Sequence, residues 1–175
     1  TINHTHLTDV DIGFYDTNYR LDPPLRGQRD RDAIRAALAD GTIDAICSDH
    51  TPVDDDGKQL PFAEAEAGAT GLELLLSLTL KWALEDKVPL LSALKCVTQG
   101  PAHVLSKSAS AMPPIGSLAV GSPADFCVVD LNAFWMVDRN SLISQSQHTP
   151  FIGMEVPGKV LATGVRGRFI WEAGI

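Results

Sequence analysis

Cysteine is scarce in this chain. Three in 175 residues, with no Cys-x-x-Cys spacing, leave little material for a disulfide framework or a thiolate zinc site. Cys47, Cys96 and Cys127 each sit beside apolar residues and read as buried free thiols of a reducing, cytoplasmic compartment. Positive charge is short as well: 14 Lys and Arg stand against 22 Asp and Glu, for a net charge of −8. So few scattered cations assemble no face for nucleic acid or for an anionic membrane. No apolar run approaches the ~20 residues that span a bilayer. The best candidate, residues 72–80, is broken by Glu73, Ser77 and Thr79. No signal-peptide pattern, internal repeat or low-complexity stretch is visible. What remains, 45% apolar and 21% charged, is ordinary globular material.

Residues 1–8 alternate loosely and read as a strand end, which would put His4 and His6 on one face. Residues 9–22 read as a loop with Gly13 and several aspartates, and Pro23-Pro24 imposes an extended approach. Over 30–39 the spacing predicts an amphipathic helix, with Ile34 and Leu38 inward, Arg31 and Arg35 outward, and Asp40-Gly41 as its stop. Residues 54–58, Asp-Asp-Asp-Gly-Lys, read as a solvated loop, since no spaced ligand set for calcium follows. Thr70-Gly71-Leu72-Glu73 fits a capping box opening a helix to about Asp86, with Leu72, Leu75, Leu76, Leu80 and Leu84 as its apolar face. Two shorter helices follow at 90–98 and 101–105, the second with proline in its first turn. Near Met112-Pro113-Pro114 the character changes. Strands are expected at 126–130, 159–163 and 168–171, with Arg166-Gly167 as a turn. The expected division is 1–110 and a small β-rich unit over 111–175.

The most informative stretch is Ile43-Asp44-Ala45-Ile46-Cys47-Ser48-Asp49-His50-Thr51-Pro52. A short apolar run over 42–48 reads as a buried strand that ends in an Asp-His pair, and Pro52 then turns the chain away. In α/β proteins reactive groups collect beyond the carboxyl ends of strands, so Asp49 is a candidate site carboxylate. An aspartate there also serves as a turn former or helix cap.

This segment resembles the last barrel strand of dihydroorotases and related cyclic amidohydrolases. The likeness continues through Asp22-Pro23-Pro24-Leu25-Arg26, Leu60-Pro61-Phe62, Gly68-Ala69-Thr70-Gly71-Leu72-Glu73, His148-Thr149-Pro150-Phe151-Ile152-Gly153 and Gly158-Lys159-Val160, covering nearly the whole chain. The resemblance implies an α/β fold: the C-terminal portion of a (β/α)8 TIM-type metal-dependent barrel, starting near the seventh strand, plus a β-sandwich unit reached through residues 116–125. It implies a zinc-dependent enzyme of pyrimidine biosynthesis that interconverts N-carbamoyl-L-aspartate and dihydroorotate.

Within that resemblance Asp49 is both metal ligand and proton shuttle, in a centre that is binuclear in the complete fold. The other ligands belong to strands expected to be missing from this chain. His4 and His6 are weaker candidates. Asp22, Val53, Ala67 and Gly68 fall at substrate-binding places. Two of these depart from the family pattern: Asp22 replaces an asparagine, and Val53 replaces a histidine that contacts substrate. Those departures leave open a silent homologue that serves as structural partner of aspartate transcarbamoylase, and another cyclic amidohydrolase such as allantoinase. The 175-residue chain alone is expected to be inactive, to lack a binuclear zinc centre, and to leave Leu7 and Ile46 uncovered. The expected partner is the N-terminal part of the same barrel or a second copy.

Overall fold

A computed structural model describes residues 1–108 and 115–174, so the expected boundary at 110/111 and Met112-Pro113-Pro114 lie outside the described residues. Among the described residues six α-helices, with three short 3-10 turns between them, precede three strands. They are α1 (Ile2–His6), α2 (Gln28–Ala39), α3 (Asp55–Gln59), α4 (Leu75–Glu85), α5 (Leu90–Lys95), α6 (Gln99–Ser108), β1 (Phe126–Met136), β2 (Glu155–Val165) and β3 (Arg168–Glu172). The strands form one antiparallel sheet in the order β1-β2-β3. All three expected strands are present, and β1 and β2 run longer than their apolar cores because the ladder extends from 126↔164 to 136↔155.

The core is built around α4. Leu74, Leu78 and Trp82 are fully buried and meet Ile2, Phe151, Val137 and Val156. Each apolar side chain withdrawn from water contributes roughly 1.5–3 kcal/mol. The inward face of α4 keeps only part of the leucine row expected from sequence: Leu80 is buried and Leu75 packs against the core. Leu72 and Leu84 are exposed, while Ser77, Thr79 and Trp82 are buried. Packing decides this: the sheet lies on the Ser77 side, where Ser77 Oγ donates to Gly158 O at 2.9 Å and Trp135 Nε1 to the same oxygen at 3.0 Å. Gly158 has φ +83, and a Cβ there would collide with Leu80, so the sheet approaches α4 this closely only with glycine at 158.

Several expectations fail for identifiable reasons. Residues 2–6 are a helix rather than a strand end, because Leu7 N bonds to Asn3 O and no strand flanks the segment among the described residues. His4 and His6 therefore do not share a strand face. The 42–48 run has no regular secondary structure and pairs in no ladder, and of its residues only Ile46 is buried. Its backbone contacts are single bonds to helix ends, Ile43 N to Ala37 O, Ile46 N to Cys96 O and Ile2 N to Cys47 O, all 2.9 Å. Residues 55–59 form α3, capped by the Asp54 carboxylate on Gly57 N at 2.9 Å, and Lys58 is buried. Arg35 does not point outward: it reaches Thr5 O at 2.6 Å, Glu85 at 2.9 Å and Asp86 at 3.0 Å, locking α2 to α1 and α4. Leu7 and Ile46 are covered, at 5% and 6% exposure. Of the three free thiols only Cys96 is buried; Cys47 and Cys127 are exposed.

Candidate active site

The segment that follows the 42–48 run is the centre of the site. Asp49 takes φ +53, a left-handed conformation in a residue with a side chain. Such a conformation costs of order 1–2 kcal/mol, least for Asn and Asp. The Asp49 carboxylate is half-buried and has no hydrogen bond or ion pair among the described residues. His50, next along, is fixed. Its Nδ1 accepts from both Gly71 N and Leu72 N at 3.2 Å, which places the ring proton on Nε2. One bond further, Thr51 N donates to Ala69 O at 2.9 Å.

These contacts lay residues 48–53 against 68–72 at very close range. Gly68 has φ +145, and a Cβ there would collide with the Thr51 carbonyl; only glycine lets the two backbones meet. Val53 is 4% exposed and wedged between Gly57 and Gly68. Its side chain shapes the wall and carries no polar group. Gly68 N is spent on Arg20 O at 2.9 Å, and the N–H groups at the start of the α4 region are spent on His50. The expected free helix-start donors are therefore not free. Between Glu66 and Thr70, Ala67 N and Ala69 N have no partner among the described residues; Ala69 is buried, at 2% exposure, and Ala67 is half-buried, one residue before Gly68.

The expected capping box is not formed. Thr70 Oγ1 donates to Ser146 O at 2.7 Å, and Glu73 accepts from Ile143 N at 2.5 Å, from Ser144 N at 2.9 Å and from Ser144 Oγ. Both side chains bind the loop between β1 and β2 instead of the helix start. Ser146 Oγ reaches Val53 O at 2.6 Å and Thr70 N reaches His148 O at 2.8 Å. His148 in turn meets Asp55 at 2.7 Å and Asn18 at 3.2 Å. The loop thus closes one side of a cleft of about 680 Å³ lined by His50, Pro52, Val53, Asp54, Asp55, Glu66 and residues 144–146.

The remaining candidates divide. His4 is buried, with Nδ1 on Thr1 Oγ1 at 2.9 Å and Nε2 donating to Pro24 O at 3.2 Å, so α1 stands beside the Pro23-Pro24 turn. His6 lies away from the cleft: it donates to Leu78 O at 2.9 Å and packs edge-on to Phe151. Burial, with the Arg35 charge assisting, pushes its pKa down to about 4, so it is neutral at physiological pH. Asp22 is exposed and has no side-chain partner among the described residues.

His50, Lys58, Glu73 and His148 carry the site's architecture; of these only Glu73 was assigned a role from sequence, as a helix-capping residue, and it binds the 143–144 loop instead. The signal for His50 and His148 was their place in the quoted motifs. Lys58 gave none, lying in what reads as a polar run. Among the described residues no group of three His, Cys, Asp or Glu comes together to hold a metal. A catalytic zinc takes three protein ligands, so this donor set does not fit a complete zinc centre.

A model of the amidohydrolase family matches residues 15–170. The chain belongs to the amidohydrolase family. This family is generally metal-dependent. Amidohydrolases similar to this chain include a dihydroorotase of Geobacter sp. strain M21, 38% identical over 168 residues. A dihydroorotase of Geobacter metallireducens is 40% identical over 166. The first alignment covers 96% of this chain and 38% of the relative, the second 95% and 38%. The chain thus spans about two-fifths of the length of these curated relatives. Among solved structures, L-hydantoinase (dihydropyrimidinase) from Arthrobacter aurescens matches with a TM-score of 0.88 at 28% identity, covering 99% of this chain and 39% of that one. A D-hydantoinase matches with 0.84 at 25%, covering 98% and 38%. Among the described residues no helix is long and apolar enough to cross a membrane.

Proposed function

We propose that this chain supplies the Asp49 carboxylate and one wall of the active site of a dihydroorotase, which interconverts N-carbamoyl-L-aspartate and dihydroorotate in pyrimidine biosynthesis. The observation that carries it is Asp49: a strained left-handed residue whose carboxylate has no partner among the described residues, two positions before Thr51, whose carbonyl meets the Gly68 backbone. Strain and unmet polar groups collect where a ligand completes the structure. Residue identity of 38–40% with dihydroorotases over nearly the whole chain supports the choice of substrate.

In this reading residues 1–110 are the C-terminal elements of a (β/α)8 barrel and 111–175 a flanking β-rich unit. Asp49 takes the proton from the attacking water and passes it to the ring nitrogen as the ring C–N bond breaks. The reverse direction returns that proton to water as the ring closes. Ala67 N–H and the Gly68 turn receive a substrate carboxylate or imide oxygen. Val53 and the 144–146 loop exclude water from that side. Asp49 would be this chain's contribution to holding zinc, with the other ligands from outside it, and the metal would supply polarisation of the scissile carbonyl.

A second reading is a hydantoinase-type ring opener, favoured by the TM-score of 0.88 with L-hydantoinase. A substrate panel decides. Protein carrying this chain at the full length of its relatives is assayed for ring opening of dihydroorotate, hydantoin, dihydrouracil and allantoin. The dihydroorotase reading expects dihydroorotate to be preferred by kcat/KM. Preference for hydantoin supports the second reading. No turnover of any member with metal supplied overturns both readings and leaves the silent partner of aspartate transcarbamoylase.

A further inference from the structure

Lys58 looks from sequence like one charge in a solvated run, yet it is 5% exposed. Its ammonium has three N–H donors and meets three backbone carbonyls: Thr17 O at 2.9 Å, Glu66 O at 2.9 Å and Arg20 O at 3.4 Å. It touches no carboxylate oxygen within ion-pair distance among the described residues. The lysine is itself tied in, because Thr17 Oγ1 donates to Lys58 O at 2.8 Å and Glu66 N to Gly57 O at 3.0 Å.

The three carbonyls are not scattered. Glu66 immediately precedes Ala67, whose N–H is unspent. Arg20 O, the most distant of the three, is also the acceptor for Gly68 N at 2.9 Å. Lys58 Nζ and Gly68 N therefore converge on one oxygen. The 66–68 backbone is held from both sides, by Lys58 at Glu66 and by Arg20 at Gly68, leaving Ala67 N between the two anchors. Apolar packing cannot do this work, since the groups to be fixed are carbonyls, which are oriented by hydrogen-bond donors.

We propose that Lys58 is a positioning residue for the site: it orders the 66–68 backbone so that Ala67 N–H is presented to the substrate's anionic oxygen. This rests on the dihydroorotase reading for the identity of the substrate, and on geometry alone for the ordering. The two parts separate experimentally.

The test compares Lys58→Met and Lys58→Gln with the unaltered protein at full family length. Gln keeps two N–H donors and carries the test if the Met variant fails to fold. Hydrogen exchange is followed in peptides covering 64–70 and 75–85. Ordering by Lys58 predicts exchange at least about tenfold faster in 64–70, with α4 protection unchanged. It also predicts a KM for dihydroorotate raised on the order of tenfold, with kcat changed far less. A residue that merely stabilises the fold would instead speed exchange in both peptides and leave KM where it was. That outcome, or unchanged exchange at 64–70, overturns the proposal. If the unaltered protein does not turn over dihydroorotate, the substrate assignment fails, while the exchange arm still passes or rejects the ordering role.

Discussion

One region of this molecule is regular strand and another has no regular secondary structure, and they are held by opposite means. The β1-β2-β3 sheet is held by its own ladder, each strand satisfying the next. The 44–54 segment has no ladder. Its bonds go one at a time to Cys96, to Ile2, to Ala69 and to the Ser146 hydroxyl. The consequence differs in kind. The ladder satisfies backbone and leaves side chains such as Phe169 and Ile170 exposed, at 57% and 64%. The single bonds pin the backbone residue by residue, so one residue between them, Asp49, is held in a conformation it would not choose, with its carboxylate free. The first arrangement makes surface and the second makes a site.

On stability, the comparison breaks most visibly at two phenylalanines. Phe151 is fully buried where the loop between β1 and β2 meets α4, and Phe169 is mostly exposed on β3. Phe151→Ala is expected to cost about 3–5 kcal/mol. Phe169→Ala loses an edge-to-face contact with Phe126 at 5.5 Å, worth about 1 kcal/mol. Urea unfolding of both variants measures this, and equal losses would abolish the distinction.

His6 sharpens it on the pH axis. Its folded pKa of about 4 lies below the ordinary 6.5. As pH falls the unfolded chain takes up the proton first. The His6 contribution is therefore complete above pH 6.5 and is lost progressively as pH falls toward 4, reaching roughly 3 kcal/mol. Replacing His6 with Gln should flatten the pH dependence of unfolding across that window; an unchanged slope would place the titration elsewhere.

Glu73 gives a smaller effect on the site side. Glu73→Gln weakens charged bonds to the Ile143 and Ser144 amides, for about 1–2 kcal/mol. Amide exchange at 143 and 144 should rise ahead of exchange in β1 and β2. Synchronous change would mean that the loop and the sheet open as one unit.

Strands β1, β2 and β3 were legible in sequence because runs such as Phe126-Cys127-Val128-Val129 and Arg168-Phe169-Ile170-Trp171, with the Arg166-Gly167 turn, are local signals that a ladder then satisfies. Helix α2 was legible through its periodicity, and its end through Asp40-Gly41. Asp49 and the Ala67-Gly68 pair were visible as places, while the close approach of Gly68 to Thr51 was not. The rest depended on partners far along the chain. Residues 2–6 alternate like a strand, but local hydrogen bonding made them a helix. Glu73 sits at capping-box spacing from Thr70, yet both side chains bond to residues more than seventy positions away. Lys58 lies among aspartates and is buried because three carbonyls surround it. Spacing reports periodicity and says nothing of which distant backbone groups lack a donor.

The central claim is that Asp49 is strained and unpaired because it serves chemistry. The most direct test is Asp49→Gly in protein of full family length, with turnover of dihydroorotate and denaturant unfolding measured on the same samples. Glycine accepts φ +53 without strain. Turnover is expected to fall by roughly 10²–10⁴, while the unfolding midpoint stays level or rises. Near-normal turnover, or a loss of turnover matched by a fall in the unfolding midpoint, would contradict the account.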